Sequence, residues 1–560
     1  MQGNTRKRKW DSDFRTTEHK KRKLGIASAP GKVNLDIDWE ACFPPRPQYE
    51  SKQPTEVGQR LMELLSIRPH VTVCLVEGNC IQFYHANHSV VLVSSVIDLD
   101  NDIDSLIGIL IAFRRLALHD RRMLEPAHNA AILRLEGNEK LGGPIEIELG
   151  TAISMSPSLV GRSTAVMYGM SPRWPGSRVV VKISWVDEAR ISEEEFMDKA
   201  VEEATNLEHE WALNHLPRFY CVEDVKDPTD ASVQELFKVT RFANRDYAYE
   251  RRQMRIVVQE PLHSLKTLAN VRDIGQVMLD VACSACHLPP QAPWSLSTDT
   301  DLVHRWLYDH AGILHGDLSP GNIMYRIIES QVHGVLTDYD LSSWKTALTA
   351  DDPKTSQQVI GTTLYMAQEL LKGTSPIHLY RHDLESLFYV MVIIGGHYTI
   401  RHTGEDKSDG DERRVVMRED DSPYQDWFEG RDYVLGCRKA TFIFEGGVEL
   451  SSSFEPFRGW LEDLRLLFFE GFAHKTECKK QEYRAERRAN EPVPFDDETL
   501  GGYISYSAFI EPVRRLTGEL EGLVIRYDQS SHSRKGSESG VRFSDRCLNF
   551  FRSLGKKSFQ

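Results

Sequence analysis

The 560-residue sequence has little cysteine, no long apolar run and no excess of positive charge, and each shortage excludes something. Nine cysteines stand at 42, 74, 80, 221, 283, 286, 437, 478 and 547. The count is odd, the spacing shows no framework, and a chain of this length can rely on its core. A disulfide scaffold is therefore excluded and a reducing compartment is expected. The longest apolar stretches, LIGILIAF at 106–113 and FYVMVIIGG at 388–396, are about half the roughly 20 residues a helix needs to span a bilayer. Both read as buried core helices, and no membrane association is expected. No apolar stretch follows the charged N-terminus, so no secretory leader is expected. A net charge of −14 argues against a protein that coats nucleic acid along its length.

Hydrophobic residues at 41% and charged residues at 27% are near globular averages, so a sizeable core can form. The length suggests two to four folded units. Positive charge is concentrated in the first 23 residues, where Arg6–Lys9 and Lys20–Lys23 form two basic clusters ten residues apart. That spacing is similar to a bipartite nuclear import signal, so a nuclear import carrier is an expected partner of residues 6–23, with a nuclear or nucleocytoplasmic location. Residues 1–30 are expected to be a disordered basic tail. Residues 55–140 read as a first unit of three strands (71–76, 80–85, 90–97) and a helix at 102–118. Residues 145–258 read as a strand-rich unit and 259–525 as a mainly helical one. A charged stretch at 403–424 is expected to be a flexible insertion and 526–560 a mobile tail.

Chemistry is suggested by a few polar residues in apolar settings. Lys182 lies inside VVVKISW, where a lysine is rare unless its ammonium has a partner or the strand is an edge. The stretch 191–213 follows as a helix, with Ser192 and Glu195 spaced as a capping box. Its apolar stripe of Phe196, Ala200, Leu207 and Trp211 carries Glu203, which makes Glu203 the candidate partner of Lys182, with Glu202 and Glu208 as alternates. In ILHGDLSPGNIMYR, His315, Asp317 and Asn322 are held at fixed spacing around a tight turn. Asp338 ends the short apolar run before it. A cation, a base-like aspartate, an amide and a second carboxylate in this order are the parts that phosphoryl transfer from a nucleotide needs.

The motifs resemble those of protein kinases. HGDLSPGN at 315–322 looks like the catalytic loop usually written HRDLKPEN. DYD at 338–340 looks like the metal-binding DFG, and GTTLYMAQEL at 361–370 looks like the end of an activation segment. RHDLESLFYVMV at 381–392 looks like the core helix whose aspartate, here Asp383, anchors the catalytic loop. The combination is similar to the fungal-type protein kinase family over about 60–525. The resemblance implies an α+β, bilobal protein-kinase-like fold with an N-terminal α/β extension, with ATP and Mg2+ as cofactors. It implies that Asp317, Asn322, Lys182 and His315 are catalytic, and that Asn322 and Asp338 hold the metal. Arg162, Ser163, Thr164 and Gly161 would form the nucleotide loop with Lys182 and Glu203, and Gln259, Glu260 and Leu262 would meet the adenine. Thr362, Glu369 and Asp383 would be structural or regulatory. Thr362 and the closed activation segment imply transfer to Ser/Thr hydroxyls of a protein substrate.

The sequence departs from the family pattern at several positions. Gly316 replaces an arginine that pairs with activation-loop phosphate, Ser319 replaces a lysine, and Asp340 replaces the hinge glycine after Asp338. Gln368 stands where proline is usual, and only Gly161 remains of a glycine-rich loop. These departures leave two other readings: a scaffold that binds nucleotide or partners without turnover, and a small-molecule phosphotransferase. CSACH at 283–287 lacks the further ligands a zinc site needs. Trp211, Trp344 and Trp427 read as packing residues, and no specific nucleic-acid binding is expected.

Overall fold

The run RVVVKISWVD forms an interior strand of a seven-stranded sheet in the computed structural model. The structure describes residues 25–26, 33–34, 70–87, 91–93, 96–104, 106–107, 124–127, 130–137, 143–156, 162–174, 176–207, 209–225, 251–282, 303–347, 361–375, 377–402, 413–418, 422–486, 495–521 and 523. Residues 1–24 of the basic tail, Gly161, Glu208, the CSACH segment and 526–560 lie outside them. So do most of the expected helix at 102–118 and most of the stretch 403–424. Gly25–Ile26, at the end of the tail expected to be disordered, pairs antiparallel with Val33–Asn34. Two compact units divide the chain, one of residues 1–188 and 223–256, the other of 189–222 and 257–560.

In the first unit, β1 (His70–Glu77), β2 (Cys80–Asn87) and β3 (Val91–Val93) form a small sheet, and β4 (Ile97–Asp98) also pairs with β2. Gly78, at φ 58, turns the hairpin between Glu77 and its partner Cys80, the backbone that a two-residue turn requires. The larger sheet has β5 (Leu124–Ala127), β6 (Ala130–Leu135), β7 (Ile145–Ser156), β8 (Thr164–Met170) and β9 (Arg178–Asp187) as neighbours in that order. It continues from β9 through β11 (Arg252–Gln259) to β10 (Phe219–Val225). β6 pairs with β7 from Ala131 and Leu149 to Leu135 and Ile145. The boundary expected between 140 and 145 therefore falls inside one sheet. β9 is buried from Val179 to Val186 with neighbours on both sides, which excludes an edge-strand setting for Lys182.

The second unit is built around a helix that is buried on all sides. HDLESLFYVMVIIGG lies within α5 (Tyr380–His397), every residue of which is buried. Such a helix must sit in the middle of a core. The other helices described in this unit are α1 (Glu193–Asn206), α2 (Val271–Ala282), α3 (Val303–Asp309), α4 (Gln368–Leu371), α6 (Asp432–Glu445), α7 (Arg458–Glu486) and α8 (Tyr506–Ile510). Helix α1 stops at Asn206 instead of running to 213. Its buried face is Glu193, Phe196, Met197, Ala200 and Ala204, and Leu207 is 40% exposed. Ser192 caps it through an N–H bond from Glu194 at 3.2 Å. The expected apolar stripe of α1 thus continued past the helix end. The charged stretch 403–424 also differs from expectation. Arg413–Met417 pairs as a strand with Tyr398–His402, because RRVVM supplies two β-branched valines and neither glycine nor proline.

Two short antiparallel pairings bring distant segments side by side. Ile323–Ile328 (β14) pairs with Gln331–Leu336 (β15), and Ile313–Leu314 (β13) pairs with Ser343–Trp344 (β16). The loop 315–322 and the segment 337–342 are therefore each tied at both ends to the same two ladders. No helix among the described residues is long and apolar enough to cross a membrane.

Beneath α5 a charged network closes the unit. Arg381 Nη2 donates to Glu369 at 2.7 Å and to Asp497 at 2.9 Å, while Lys475 Nζ lies 2.9 Å from Glu369 and 2.5 Å from Asp497. Burial alone would raise the Glu369 pKa, but His382, Arg381 and Lys475 outweigh it and hold the carboxyl far below its usual range. His382 is buried, and its Nδ1 accepts the Leu379 N–H at 2.9 Å. Burial outweighs the attraction of Glu369 and pushes its pKa down to about 3. The folded state thus refuses a proton that the unfolded state takes up between about pH 6.5 and about pH 3, and stability falls as pH falls across that window. In His382→Asn, an amide oxygen can still accept the Leu379 N–H. Between pH 7 and pH 5 this variant is expected to lose about 2 kcal/mol less stability than wild type, read from denaturant unfolding at the two pH values. An equal loss would remove His382 as the titrating group.

Candidate active site

The site in the second unit rests on Asp383, one turn into α5 and fully buried. Its Oδ2 accepts the backbone N–H of Gly316 at 3.0 Å and His304 Nε2–H at 2.9 Å, and its Oδ1 accepts His378 Nε2–H at 2.8 Å. Burial pushes this carboxyl's pKa up, but the charge and hydrogen bonds of His378 and His304 outweigh burial and hold it well below the usual range. His304 is fixed in turn by Tyr506, whose hydroxyl meets Nδ1 at 2.8 Å. An ionised carboxylate with several donors is the arrangement in which a buried charge can be kept.

Above it, His315 Nε2–H donates to the carbonyl of Thr337 at 3.0 Å, and Nδ1 accepts the Asp317 N–H at 3.3 Å. Both ring nitrogens are thus used by a neutral imidazole, in keeping with burial lowering its pKa. Asn322 Nδ2 donates to the Asp317 carbonyl at 2.7 Å, which closes the turn and directs the amide oxygen elsewhere. Thr337 joins the two segments, donating its N–H at 2.9 Å and its hydroxyl at 3.2 Å to the Asn322 carbonyl. Ser342 Oγ donates to the His315 carbonyl at 3.1 Å. The Asp317 carboxylate receives two bonds at Oδ1, from Thr362 N–H at 2.7 Å and Thr362 Oγ1–H at 2.9 Å.

Asp338 stands in the left-handed region at φ 65, a conformation in which a non-glycine residue stores strain. The next residue, Tyr339, donates its N–H to Glu193 Oε2 at 2.9 Å and sets its ring edge-on to His315 at 5.0 Å. Glu193, Asp338 and Asp340 offer carboxylate oxygens within 4.8 Å of one another. Three hard oxygen donors of this kind suit a small divalent cation such as Mg2+.

The structure brings together His315, Asp317, Asn322, Asp338, Thr362 and Asp383 in the second unit. Glu369 is in the same unit but serves the network with Arg381 and Lys475. Glu203 is corrected. It is paired with Lys199 on its own helix at 2.6 Å, and its side chain is 22% exposed, because the buried face of α1 lies elsewhere. The glutamate on that face is Glu193. It precedes Phe196 by three and Met197 by four residues, a signal that a stripe drawn from Phe196 forward passes over. Asp340 is buried among acceptors at the site, so it is more than a lost hinge glycine. His304 and His378 were not anticipated, since nothing in the sequence marks them as neighbours of Asp383.

The remaining expected residues are placed as follows. Lys182 is buried in the centre of β9 in the first unit, opposite Val166. Ser163 there is 3% exposed at φ 38, a backbone suited to glycine, and the Arg162 carbonyl accepts Trp185 N–H at 2.6 Å. Thr164 begins β8. In the second unit, the Glu260 N–H goes to the Arg218 carbonyl at 3.1 Å and its carboxylate to Arg326 at 2.6 Å. The tryptophans pack as expected: Trp344 meets Phe196, Trp211 meets Trp306, and Trp427 meets Phe442.

A carboxylate-anchored loop, an aspartate and asparagine at its tip, and a facing acidic cluster define a kinase-like site. The family model described as fungal protein kinase matches residues 56–281 and 299–395, more than half of the chain, and the protein belongs to that family. A search of curated proteins finds no match to it.

Gly316 has a physical reason besides the loss of an arginine. Its φ is 81, and a Cβ there would lie 2.9 Å from the Leu341 carbonyl oxygen. A side chain would meet left-handed strain of about 1–2 kcal/mol together with a backbone clash. Gly316→Ala is expected to lower stability by at least about 1 kcal/mol, and Gly316→Arg is not expected to improve activity. A Gly316→Arg protein as stable as wild type and more active would contradict the geometry.

Proposed function

We propose that the protein is an ATP- and Mg2+-dependent kinase that transfers the γ-phosphate to serine or threonine hydroxyls of a protein substrate. The observation that carries this reading is the pair of hydrogen bonds that Thr362 donates to Asp317 Oδ1. It ties the segment that would bind an acceptor polypeptide directly to the aspartate that would handle the acceptor proton. A small-molecule acceptor gives no reason for such a tie.

Asp317 would orient the acceptor hydroxyl and take its proton as the oxygen–phosphorus bond forms and the bond between the γ-phosphorus and the β-bridging oxygen breaks, with ADP as leaving group. Asn322 and Asp338 would hold the metal, and the donor set of Glu193, Asp338 and Asp340 fits it. Bound Mg2+ supplies charge neutralisation at the phosphates. Lys182 is assigned to the phosphates, the Arg162–Thr164 stretch to the same task, and Gln259–Leu262 to adenine. Glu193 braces Asp338 through the N–H of Tyr339. The basic clusters within residues 6–23 are assigned to a nuclear import carrier. A reporter fused to residues 1–30 is expected to accumulate in nuclei, and a cytoplasmic reporter would refute that assignment.

The test is transfer of labelled γ-phosphate from ATP with Mg2+ to a generic protein substrate and to the protein itself. Wild type is expected to label protein. Asp317→Asn is expected to fall by a factor of about 100 or more while still binding nucleotide. Full activity in Asp317→Asn would remove Asp317 from the mechanism. Nucleotide binding without any label from wild type would favour the scaffold.

A further inference from the structure

The end of the 361–371 segment is gripped by two buried charged residues that no step above uses. Lys439, on α6, is completely buried, and its Nζ donates to the Met366 carbonyl at 2.6 Å. The same ammonium lies 4.2 Å from the centre of the Tyr389 ring and 5.6 Å from that of Trp427. Glu385, on α5, is also completely buried, and its Oε1 accepts the Gln368 N–H at 2.9 Å and the Tyr389 hydroxyl at 2.7 Å. A lysine and a glutamate thus hold a carbonyl and an N–H two residues apart in one stretch of backbone, with Tyr389 between them. Burial pushes the Glu385 carboxyl pKa up and the Lys439 ammonium pKa well below its usual value.

Two further facts bear on what this grip does. One turn before Lys439, a Cβ at Gly436 would lie 2.8 Å from Lys372 Cγ and 3.0 Å from the Gln368 carbonyl oxygen, so α6 lies directly against α4. At its other end the segment is fastened by Thr362 to Asp317. Between the fastenings, Thr363 is exposed and Leu364 and Tyr365 are half-buried. A buried ammonium without a carboxylate at ion-pairing distance is costly, and apolar residues of similar volume commonly give equal or better stability. Its retention therefore points to a role in shape as well as in stability.

We infer that Lys439 and Glu385 are positioning residues that clamp the Met366–Gln368 backbone and so hold the partly exposed stretch Thr362–Tyr365 in the form that receives an acceptor polypeptide. This rests on the reading of the protein as a protein kinase. The clamp touches neither nucleotide nor the reacting atoms. Its loss therefore acts on the acceptor and leaves the nucleotide alone.

The experiment compares wild type with Lys439→Met in two measurements. Amide hydrogen exchange in residues 361–373 is expected to accelerate at least tenfold in the variant, with exchange in 313–322 unchanged. With a degenerate serine/threonine peptide mixture as probe, the peptide KM is expected to rise about tenfold while the KM for ATP and the rate of ATP hydrolysis stay within twofold. Unchanged exchange in 361–373 would overturn the clamp. A parallel fall in the rates of peptide phosphorylation and ATP hydrolysis, with both KM values unchanged, would reduce Lys439 to a general structural role and overturn the inference equally. If wild type phosphorylates no peptide, the kinase reading fails, and the exchange measurement still decides the clamp. If Lys439→Met does not fold, the double variant Lys439→Met, Glu385→Gln removes both buried charges together and carries the same expectations.

Discussion

The second unit depends on one buried carboxylate. Asp383 sits inside a helix that is buried at every residue, and a charge there is tolerable only with donors around it. Three donors meet it: the N–H of Gly316 and the Nε2–H groups of His304 and His378. The Gly316 bond fixes where the loop begins. His315 then reaches across to Thr337, and Thr337 reaches back to Asn322, so the loop and the segment carrying Asp338 are set by one anchor. Asp317 and Asn322 stand at the tip because the chain below them has no freedom.

The departures from the usual kinase pattern have local causes. Gly316 occupies a left-handed position against the Leu341 carbonyl, where an arginine would not fit without moving backbone. Asp340 adds a carboxylate to those of Glu193 and Asp338. Three carboxylates this close are the hard oxygen donors that a small divalent cation takes. The left-handed φ of Asp338 belongs to the same economy: strain is kept where surrounding bonds enforce it.

Much of the site was legible in the sequence because it is carried by short, rigid stretches. His315, Asp317 and Asn322 lie within eight residues of one another, bracketed by strands, so spacing alone implies mutual geometry. Thr362 and Asp383 came from the resemblance and are joined to that loop by direct bonds. What failed did so for identifiable reasons. Glu203 was chosen by extending a helical stripe through Leu207, but the helix ends at Asn206 and the buried face runs back to Glu193. A boundary near 140–145 follows from local strand and helix patterns, which are blind to the β6–β7 pairing across it. Arg413–Met417 was hidden by charged neighbours on both sides. His304, His378, Lys439 and Glu385 make contacts across large sequence separations, and no local pattern announces those.

The account's central claim is that the acidic segment after β15 holds a metal-bound nucleotide. The most direct measurement is ATP affinity with and without Mg2+, in wild type and in Asp338→Ala. The account predicts that Mg2+ tightens ATP binding to wild type at least about tenfold, roughly 1.4 kcal/mol, and that this dependence disappears in Asp338→Ala. Equal affinities with and without Mg2+ in wild type, or an undiminished Mg2+ dependence in the variant, would contradict it.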